Sequence, residues 1–186
     1  NATNGTIITL QYYGIDTLNN TSVTNSRLYT FDMQAPTVNA LPVSLTTNAG
    51  FTANLTTTEN NGYWSTNSGA AWTSFTTIGA NIVISATNGG IITLQYYGND
   101  GLNTSATNSR SYTFDTSAPA VNALPASLTT NASFTANLTT TENNGYWSTN
   151  SGAAWTSYTT AGTGVAINAT NGGIITLQYY GNDGIN

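Results

Sequence analysis

The acidic residues of this chain are the ones best suited to bind a metal ion or to catalyse a reaction. They are Asp16, Asp32, Glu59, Asp100, Asp115, Glu142 and Asp183. The chain contains no His and no Cys, which excludes Ser-His-Asp and Cys-His catalytic sites and thiolate metal sites. Because Ca²⁺ is bound by carboxylate and carbonyl oxygens, a cluster of these acids would favour a calcium site.

The acids recur at a fixed spacing. Asp115, Glu142 and Asp183 each lie 83 residues after an earlier acid; those earlier acids are Asp32, Glu59 and Asp100. Two carboxylates can also hydrolyse a glycosidic bond when a cleft holds them about 5–9.5 Å apart. A series of nearly identical clefts is a poor design for an enzyme, so we expect no enzymatic activity.

The charge balance excludes two classes of partner. The net charge is −5, Arg27 and Arg110 are the basic residues, and Lys is absent. Nucleic acids and anionic membrane surfaces are bound by clustered cationic side chains, so we expect neither as a partner. No apolar run approaches the roughly 18 residues that span a bilayer, so we expect no membrane insertion in this part of the protein.

Internal repetition is the strongest pattern in the sequence. The letters of residues 55–72 recur without change at 138–155, and those of residues 7–14 recur at 91–98 and 174–181. An Ala-Pro pair marks the seam between copies, at residues 35–36 and again at 118–119. We therefore divide the chain into segment 1 (residues 1–35), segment 2 (36–118) and segment 3 (119–186). Segment 2 is a complete repeat, segment 1 is the end of a preceding one, and segment 3 stops before its last strand.

Alternating apolar and polar residues, separated by Asn-Gly and Gly-Gly turns, predict short β-strands. In segment 2 we expect strands at 38–41, 51–58, 63–66, 72–76, 82–85, 91–97 and 109–114. About seven strands in about 83 residues are typical of an immunoglobulin-like Greek-key sandwich. The expected fold is therefore all-β, as tandem immunoglobulin-like β-sandwich repeats. A solenoid coil is too short for this period, and a propeller blade runs about 40–50 residues.

The segment around the last two predicted strands resembles a known family. Gln95-Tyr96-Tyr97-Gly98-Asn99-Asp100 is followed by Asn103-Thr104-Ser105 and then by the residues Tyr-Thr-Phe-Asp-Thr-Ser-Ala-Pro at 112–119. These residues resemble bacterial Ig-like repeats of large surface adhesins and of the chitobiase C-terminal type. The resemblance implies an extracellular or cell-surface location and a role in a stalk or filament.

In an immunoglobulin-like fold, the loops after the second and sixth predicted strands lie at the end where the chain enters. Glu59 and Asp100 occupy those loops, and Asp32 lies in the entering linker. We therefore expect two carboxylate groups, each at a seam: Asp32 with Glu59 and Asp100, and Asp115 with Glu142 and Asp183. Similarity to calcium-braced adhesin repeats implies that calcium would stiffen these junctions.

The alternative needs no metal. Arg110 would neutralise Asp100, and Arg27 would neutralise Asp16, which belongs to the preceding junction. Both interpretations remain open from the sequence, although one Arg against three acids leaves excess negative charge in each repeat.

Residues 65–72, Ser-Thr-Asn-Ser-Gly-Ala-Ala-Trp, resemble the Asp-box turn of sialidases with Asn67 in place of Asp. Here the motif predicts a hairpin turn, since a sialidase would also need an arginine cluster. The aromatic residues Tyr63, Trp64, Trp72 and Tyr96 are expected as core and cross-strand pairs. The alternative is an exposed row, including Tyr97 and Phe75, that stacks on sugars.

The expected function is a structural segment of a long extracellular fibre, stalk or adhesin, with neighbouring repeats and copies of itself as partners. The competing expectation is a module that binds glycans or a host surface through exposed aromatic faces.

Overall fold

The computed structural model describes residues 2–59, 61–142, 144–168 and 171–186. These residues form fourteen β-strands and no helix. The first seven strands are β1 (Ile7–Tyr12), β2 (Asn25–Thr30), β3 (Leu45–Thr47), β4 (Phe51–Leu55), β5 (Asn61–Ser65), β6 (Thr73–Thr76) and β7 (Ala80–Ile84). The others are β8 (Ile91–Asn99), β9 (Asn108–Phe114), β10 (Phe134–Leu138), β11 (Asn144–Ser148), β12 (Thr156–Thr159), β13 (Thr163–Ile167) and β14 (Gln178–Asn182). Within these residues there is accordingly no helix of the length and apolarity that a membrane span requires.

The strands form five sheets. Strands β1 and β2 form an antiparallel hairpin in segment 1. Segment 2 has a five-stranded sheet in the order β3-β9-β8-β5-β6 and the antiparallel pair β4-β7. Segment 3 repeats this plan with the sheet β12-β11-β14 and the pair β10-β13.

By packing, the chain divides into two compact units. The first comprises Asn1–Ser44, Phe51–Ile84 and Ile92–Ser111. Its buried side chains come from alternate strand positions, as expected when one face of each strand is covered. They include Ala53, Leu55, Phe75, Ile82, Ile84, Leu94 and Tyr96.

The second unit comprises Leu45–Gly50, Ser85–Ile91 and Tyr112–Asn186. The pair β10-β13 packs against the sheet β12-β11-β14, and buried residues from both layers form one cluster. The cluster is Ala136, Leu138, Tyr158 and Val165, with Trp147, Leu177 and Tyr179 packed around it. Two sheets that share an apolar interior form a sandwich-like arrangement.

The predicted all-β class is confirmed, and the largest difference lies near the start of segment 2. Residues 38–41 form no strand; Val38 makes one isolated bridge to Thr57. The Asn39 side chain forms hydrogen bonds with backbone groups that a neighbouring strand would otherwise bind. Its Nδ2 donates to the Asn54 carbonyl, and its Oδ1 accepts from the Thr56 N–H. A strand that the sequence did not predict, β3, pairs in parallel with β9.

Candidate functional site

The first carboxylate group of the candidate site comes from three separate elements. Asp32 follows strand β2, Glu59 lies in the loop after β4, and Asp100 follows β8. One carboxylate oxygen from each lies within 4.8 Å of the others. The structure therefore brings together the three acids that the sequence predicts at the seam between segments 1 and 2.

The second group repeats this geometry 83 residues later. Oxygens of Asp115, Glu142 and Asp183 also lie within 4.8 Å of one another, and all three side chains are half-buried. We call the two groups the carboxylate triads. Three oxygens at this separation could each contribute one ligand to a Ca²⁺ ion, while carbonyl, amide or water oxygens would complete the shell.

Backbone amides shape the loop that carries the third acid of each triad. Asp100 Oδ1 accepts hydrogen bonds from the N–H groups of Leu102 at 2.7 Å and Asn103 at 2.6 Å. The Asn103 side chain then donates to the Asp32 carbonyl at 3.3 Å. This amide connects the loop after β8 to the residues that enter segment 2.

The second triad has the same loop. Asp183 Oδ1 accepts from the N–H groups of Ile185 and Asn186, each at 2.6 Å. Asn186 Nδ2 donates to the Asp115 carbonyl at 3.1 Å. Asn103 and Asn186 are thus site residues that the sequence prediction missed, although each lies three residues after a triad Asp, and that recurring spacing was a usable signal.

The acids of the triads differ in pKa. Backbone hydrogen bonds, chiefly from Asn103 and Asn186, lower the pKa values of Asp100 and Asp183 below their usual range. Desolvation, reinforced by repulsion from Asp115 and Asp183, raises the pKa of Glu142. The second triad therefore holds one carboxyl that resists ionisation beside two other acids, as expected when like charges share a site.

The arginines do not take up the hydrogen bonds of these acids in the described part of the chain. Arg110 Nη1 donates to the Ser109 carbonyl, and its buried Nε has no hydrogen-bond partner. Asp16 accepts its hydrogen bonds from Leu18 and Asn20, while Arg27 donates to the Ser26 carbonyl. The contacts thus give no support to the alternative in which arginine neutralises Asp16 and Asp100.

A proline-glycine contact sets the path of the chain beside each triad. A Cβ placed on Gly98 would lie 2.8 Å from Pro36 Cβ, so the glycine allows the proline to approach strand β8. Pro36 is fully buried there. Gly181 and Pro119 repeat the contact at 2.7 Å. Both seams therefore use the same proline-glycine contact, although Pro119 is only half-buried.

The Asp-box-like residues form the hairpin turn that the motif predicts. Asn67 Oδ1 accepts from the Ser65 hydroxyl at 2.7 Å and from the Ala71 N–H at 3.0 Å. Ser65 Oγ accepts in turn from the Gly69 N–H at 3.0 Å. The corresponding bonds recur in segment 3 around Asn150.

Three aromatic rings lie together on the outer side of the five-stranded sheet. Tyr63 and Tyr97 are stacked cross-strand neighbours with centroids 5.1 Å apart, and Trp72 meets Tyr97 edge-on at 4.8 Å. Trp72 is 37 % exposed. We call this the aromatic cluster; segment 3 repeats it with Tyr146, Tyr180 and Trp155.

The predicted exposed row is wrong at Phe75, whereas Tyr96 lies in the core as expected. Phe75 and Tyr96 are buried core residues, with exposures of 5 % and 1 %. Phe75 points inward because its ring lies over Gly62, where an added Cβ would meet the ring at 2.1 Å. In segment 2 the clustered aromatic rings are therefore Tyr63, Trp72 and Tyr97, of which Trp72 is the most exposed.

No family model and no curated protein matches the chain.

Proposed function

We propose that this chain is a structural segment of a long extracellular fibre, stalk or surface adhesin. In this proposal the repeats of about 83 residues are immunoglobulin-like Greek-key sandwiches of the bacterial adhesin type, and the chain has no enzymatic activity. Their partners are neighbouring repeats and copies of the same chain.

The single observation that carries the proposal is repetition without specialisation. Both triads, both Asp-box-like turns and both proline-glycine contacts recur at one spacing with nearly the same distances. A protein that evolves one binding or catalytic site has no reason to copy it with its supporting turns. Tandem modules that extend a rod are copied whole, because each module must bury its own interior and present the same end to the next.

Calcium at the triads belongs to this proposal. Each triad lies where one segment enters the next, so an ion there would hold the linker against the loops after β4 and β8, or their counterparts in segment 3. Acids held this close to one another are stabilised by a cation. The expected role is stiffening of the junction, not catalysis.

Mechanical unfolding of the 186-residue chain, held at both ends, tests the proposal. We expect a separate force peak for segment 2, with a contour-length gain of about 300 Å, since 83 residues extend by about 3.6 Å each. Segment 3 should give a further, smaller peak. A single cooperative event, or extension without resolvable peaks, would contradict independent load-bearing modules.

The aromatic cluster favours a second candidate function, the binding of glycans or a host surface. Partly exposed Trp and Tyr rings offer flat apolar faces on which a sugar ring can stack. A glycan array tests this with the natural chain and a control in which Trp72 and Trp155 are both Ala. Binding lost in the control would support a ligand, whereas a pure spacer should bind no glycan in either form.

A further inference from the structure

Strand β6 lies at one end of the five-stranded sheet of segment 2, so only one side of its backbone pairs with another strand of the described chain. Strand β12 has the same place in the sheet β12-β11-β14 of segment 3. The free N–H and C=O groups of such an edge can pair with a further strand, and natural proteins protect edges by shortening, charging or covering them. The edges of β6 and β12 are therefore candidate interaction surfaces.

Other edges in these repeats are protected. Strand β3, at the opposite end of the five-stranded sheet, has only three residues. The entering linker covers the edge of β4, because the Asn39 side chain forms hydrogen bonds with backbone groups of Asn54 and Thr56. Asn122 forms the matching bonds beside β10. In the described part of the chain, neither β6 nor β12 has such a cover.

The repeats keep the sequence of this edge. Strands β6 and β12 read Thr-Ser-Phe-Thr and Thr-Ser-Tyr-Thr, and a Trp precedes each of them. Strands β7 and β13 also have a free side, but they differ at four of five positions, Ala-Asn-Ile-Val-Ile against Thr-Gly-Val-Ala-Ile. A surface that serves both repeats in the same way is therefore better placed on β6 and β12.

The edge of β6 lies in a part of the chain that carries no charge. Residues 60–99 contain no Asp, Glu, Lys or Arg, and neither do residues 143–182. A second copy of the chain has the same net charge of −5, so two copies repel each other wherever their acids face one another. Two copies can therefore approach most closely along these uncharged stretches, which favours a second copy over a charged partner.

We propose that β6 pairs antiparallel with β6 of a second copy, so that two five-stranded sheets join into one continuous sheet. The matching edge β12 forms the same kind of pair. This inference rests on the proposed function, in which copies of the chain are partners, and it names the surface that they use. Antiparallel pairing of identical strands is isologous, since each copy offers the same residues across a two-fold axis. The main-chain hydrogen bonds supply the affinity.

The two faces of the strand restrict the register of the pair. Phe75 is buried in the core, whereas Ser74 is exposed on the other face, opposite Tyr63. Residues that lie opposite one another in a sheet share a face, so Ser74 must meet an exposed residue of the copy. The two registers centred on this strand therefore place either Ser74 opposite Ser74 or Phe75 opposite Phe75.

The register with Ser74 opposite Ser74 is favoured. It uses residues 72–76 of both copies and sets Trp72 of one copy opposite Thr76 of the other. Pairs of an aromatic and a β-branched residue stabilise neighbouring strands, and this pair would also cover the exposed Trp72 ring. The alternative register would extend to residue 77, which belongs to the turn after β6.

Cross-linking tests the pair, because the natural chain has no Cys. Directly opposite Cα atoms lie about 4.5–5.5 Å apart, within the roughly 4.4–6.8 Å that a disulfide spans. Ser74→Cys should therefore form a covalent dimer on mild oxidation. Thr52→Cys is the matched control, since Thr52 is also exposed but lies on the covered strand β4. This control should stay largely monomeric over the same time.

Lysine at the edge should abolish the association. In sedimentation experiments we expect the weight-average mass of the natural 186-residue chain to rise with concentration. Ser74→Lys combined with Ser157→Lys should remain monomeric, because Lys on an edge strand opposes pairing. Thr52→Lys combined with Thr135→Lys adds the same charge at exposed positions of β4 and β10, and it should associate like the natural chain.

Three results would overturn the proposal. They are a natural chain that stays monomeric at its highest soluble concentration, association that survives the lysines in β6 and β12, and equal cross-linking of Ser74→Cys and Thr52→Cys. Cross-links between Ser74→Cys and Thr76→Cys chains, without any between two Ser74→Cys chains, would reject the proposed register.

The mechanical test and this one can fail separately. A chain that gives separate force peaks but never associates would be a rod without edge pairing. A chain that unfolds in one event but forms the Ser74→Cys dimer would keep the edge pairing and lose the independent modules.

Discussion

At the scale of single residues, Tyr158 carries an unsatisfied polar atom in the core of the second unit. Its ring is buried over Gly145, and its hydroxyl has no hydrogen-bond partner. Burial also raises the pKa of this phenol, with a smaller effect from Tyr179. At the matching position segment 2 has Phe75, which is equally buried without a hydroxyl.

We therefore predict that Tyr158→Phe stabilises segment 3. A buried polar group without a partner costs about 1–3 kcal/mol, so the free energy of unfolding should rise by about 1 kcal/mol in urea denaturation. Phe75→Tyr is the matched control and should lower the stability of segment 2. A loss of stability in Tyr158→Phe would show that the hydroxyl is hydrogen-bonded.

Glu142 provides a second residue-scale prediction, through pH. Its pKa is raised in the folded chain above the ordinary value of 4.5, so the folded state holds this proton more tightly than the unfolded state. The stability that the protonated Glu142 contributes is present below pH 4.5 and is lost as the pH rises through the pKa of the folded state. At pH 7 the ionised Glu142 thus faces uncompensated repulsion from Asp115 and Asp183.

Glu142→Gln should consequently melt at a higher temperature than the natural chain at pH 7 without calcium. The difference should shrink when the pH falls below the ordinary value of 4.5, because the natural side chain is then neutral as well. Thermal melts across this range, with chelator present, measure the effect. Asp16→Asn is the control outside the triads; a gain in Glu142→Gln that persisted at low pH would contradict the electrostatic cause.

At the scale of elements, the contact between linker and strand can be tested with one glycine position. Gly98 lies against Pro36, whereas the corresponding Gly14 has only the Ser22 hydroxyl at 3.7 Å. Gly98→Ala should destabilise the chain by about 1–3 kcal/mol, as overpacking does. Gly14→Ala, with no crowding and an ordinary backbone, should change stability by less than about 0.5 kcal/mol. Denaturant unfolding of both variants measures the difference, and equal effects would show that the linker proline does not depend on this glycine.

Sequence patterns predicted the elements of this chain where period and turn residues agreed. Residues 51–55 and 91–97 alternate cleanly and are strands within β4 and β8. The same alternation failed at 38–41, because it cannot anticipate that the Asn39 side chain replaces strand pairing. It also missed β3, whose exposed residues carry little hydrophobic signal and whose partner β9 is distant in sequence.

The sequence also predicted part of the candidate site. Convergence of Asp32, Glu59 and Asp100 followed from loop positions at one end of a sandwich, and the structure agrees. The role of Phe75 did not follow, since an aromatic residue in a strand points inward or outward by register alone. Its burial depends on Gly62 across the sheet, a pairing that only coordinates reveal.

At the scale of the whole molecule, the two triads predict a stability that responds to calcium. Extracellular calcium modules have Kd values of about 10⁻⁴–10⁻³ M, so about 10 mM Ca²⁺ would occupy both sites. Ligands that bind only the folded state stabilise it by about 1.4–2.7 kcal/mol at 10–100 times Kd. Calorimetric melts should therefore shift upward after chelator is replaced by Ca²⁺.

The same experiment can separate the triads from nonspecific screening of a chain with net charge −5. Mg²⁺ screens charge equally but prefers to keep its octahedral water shell, so it should give a much smaller shift. Glu59→Gln combined with Glu142→Gln should remove most of the calcium response while raising the calcium-free melting temperature, since each triad then holds two carboxylates. An unchanged melting temperature in the natural chain would show that the triads are solvated acids that do not bind calcium. The junctions would then be held by the proline-glycine contacts and by the amides of Asn103 and Asn186.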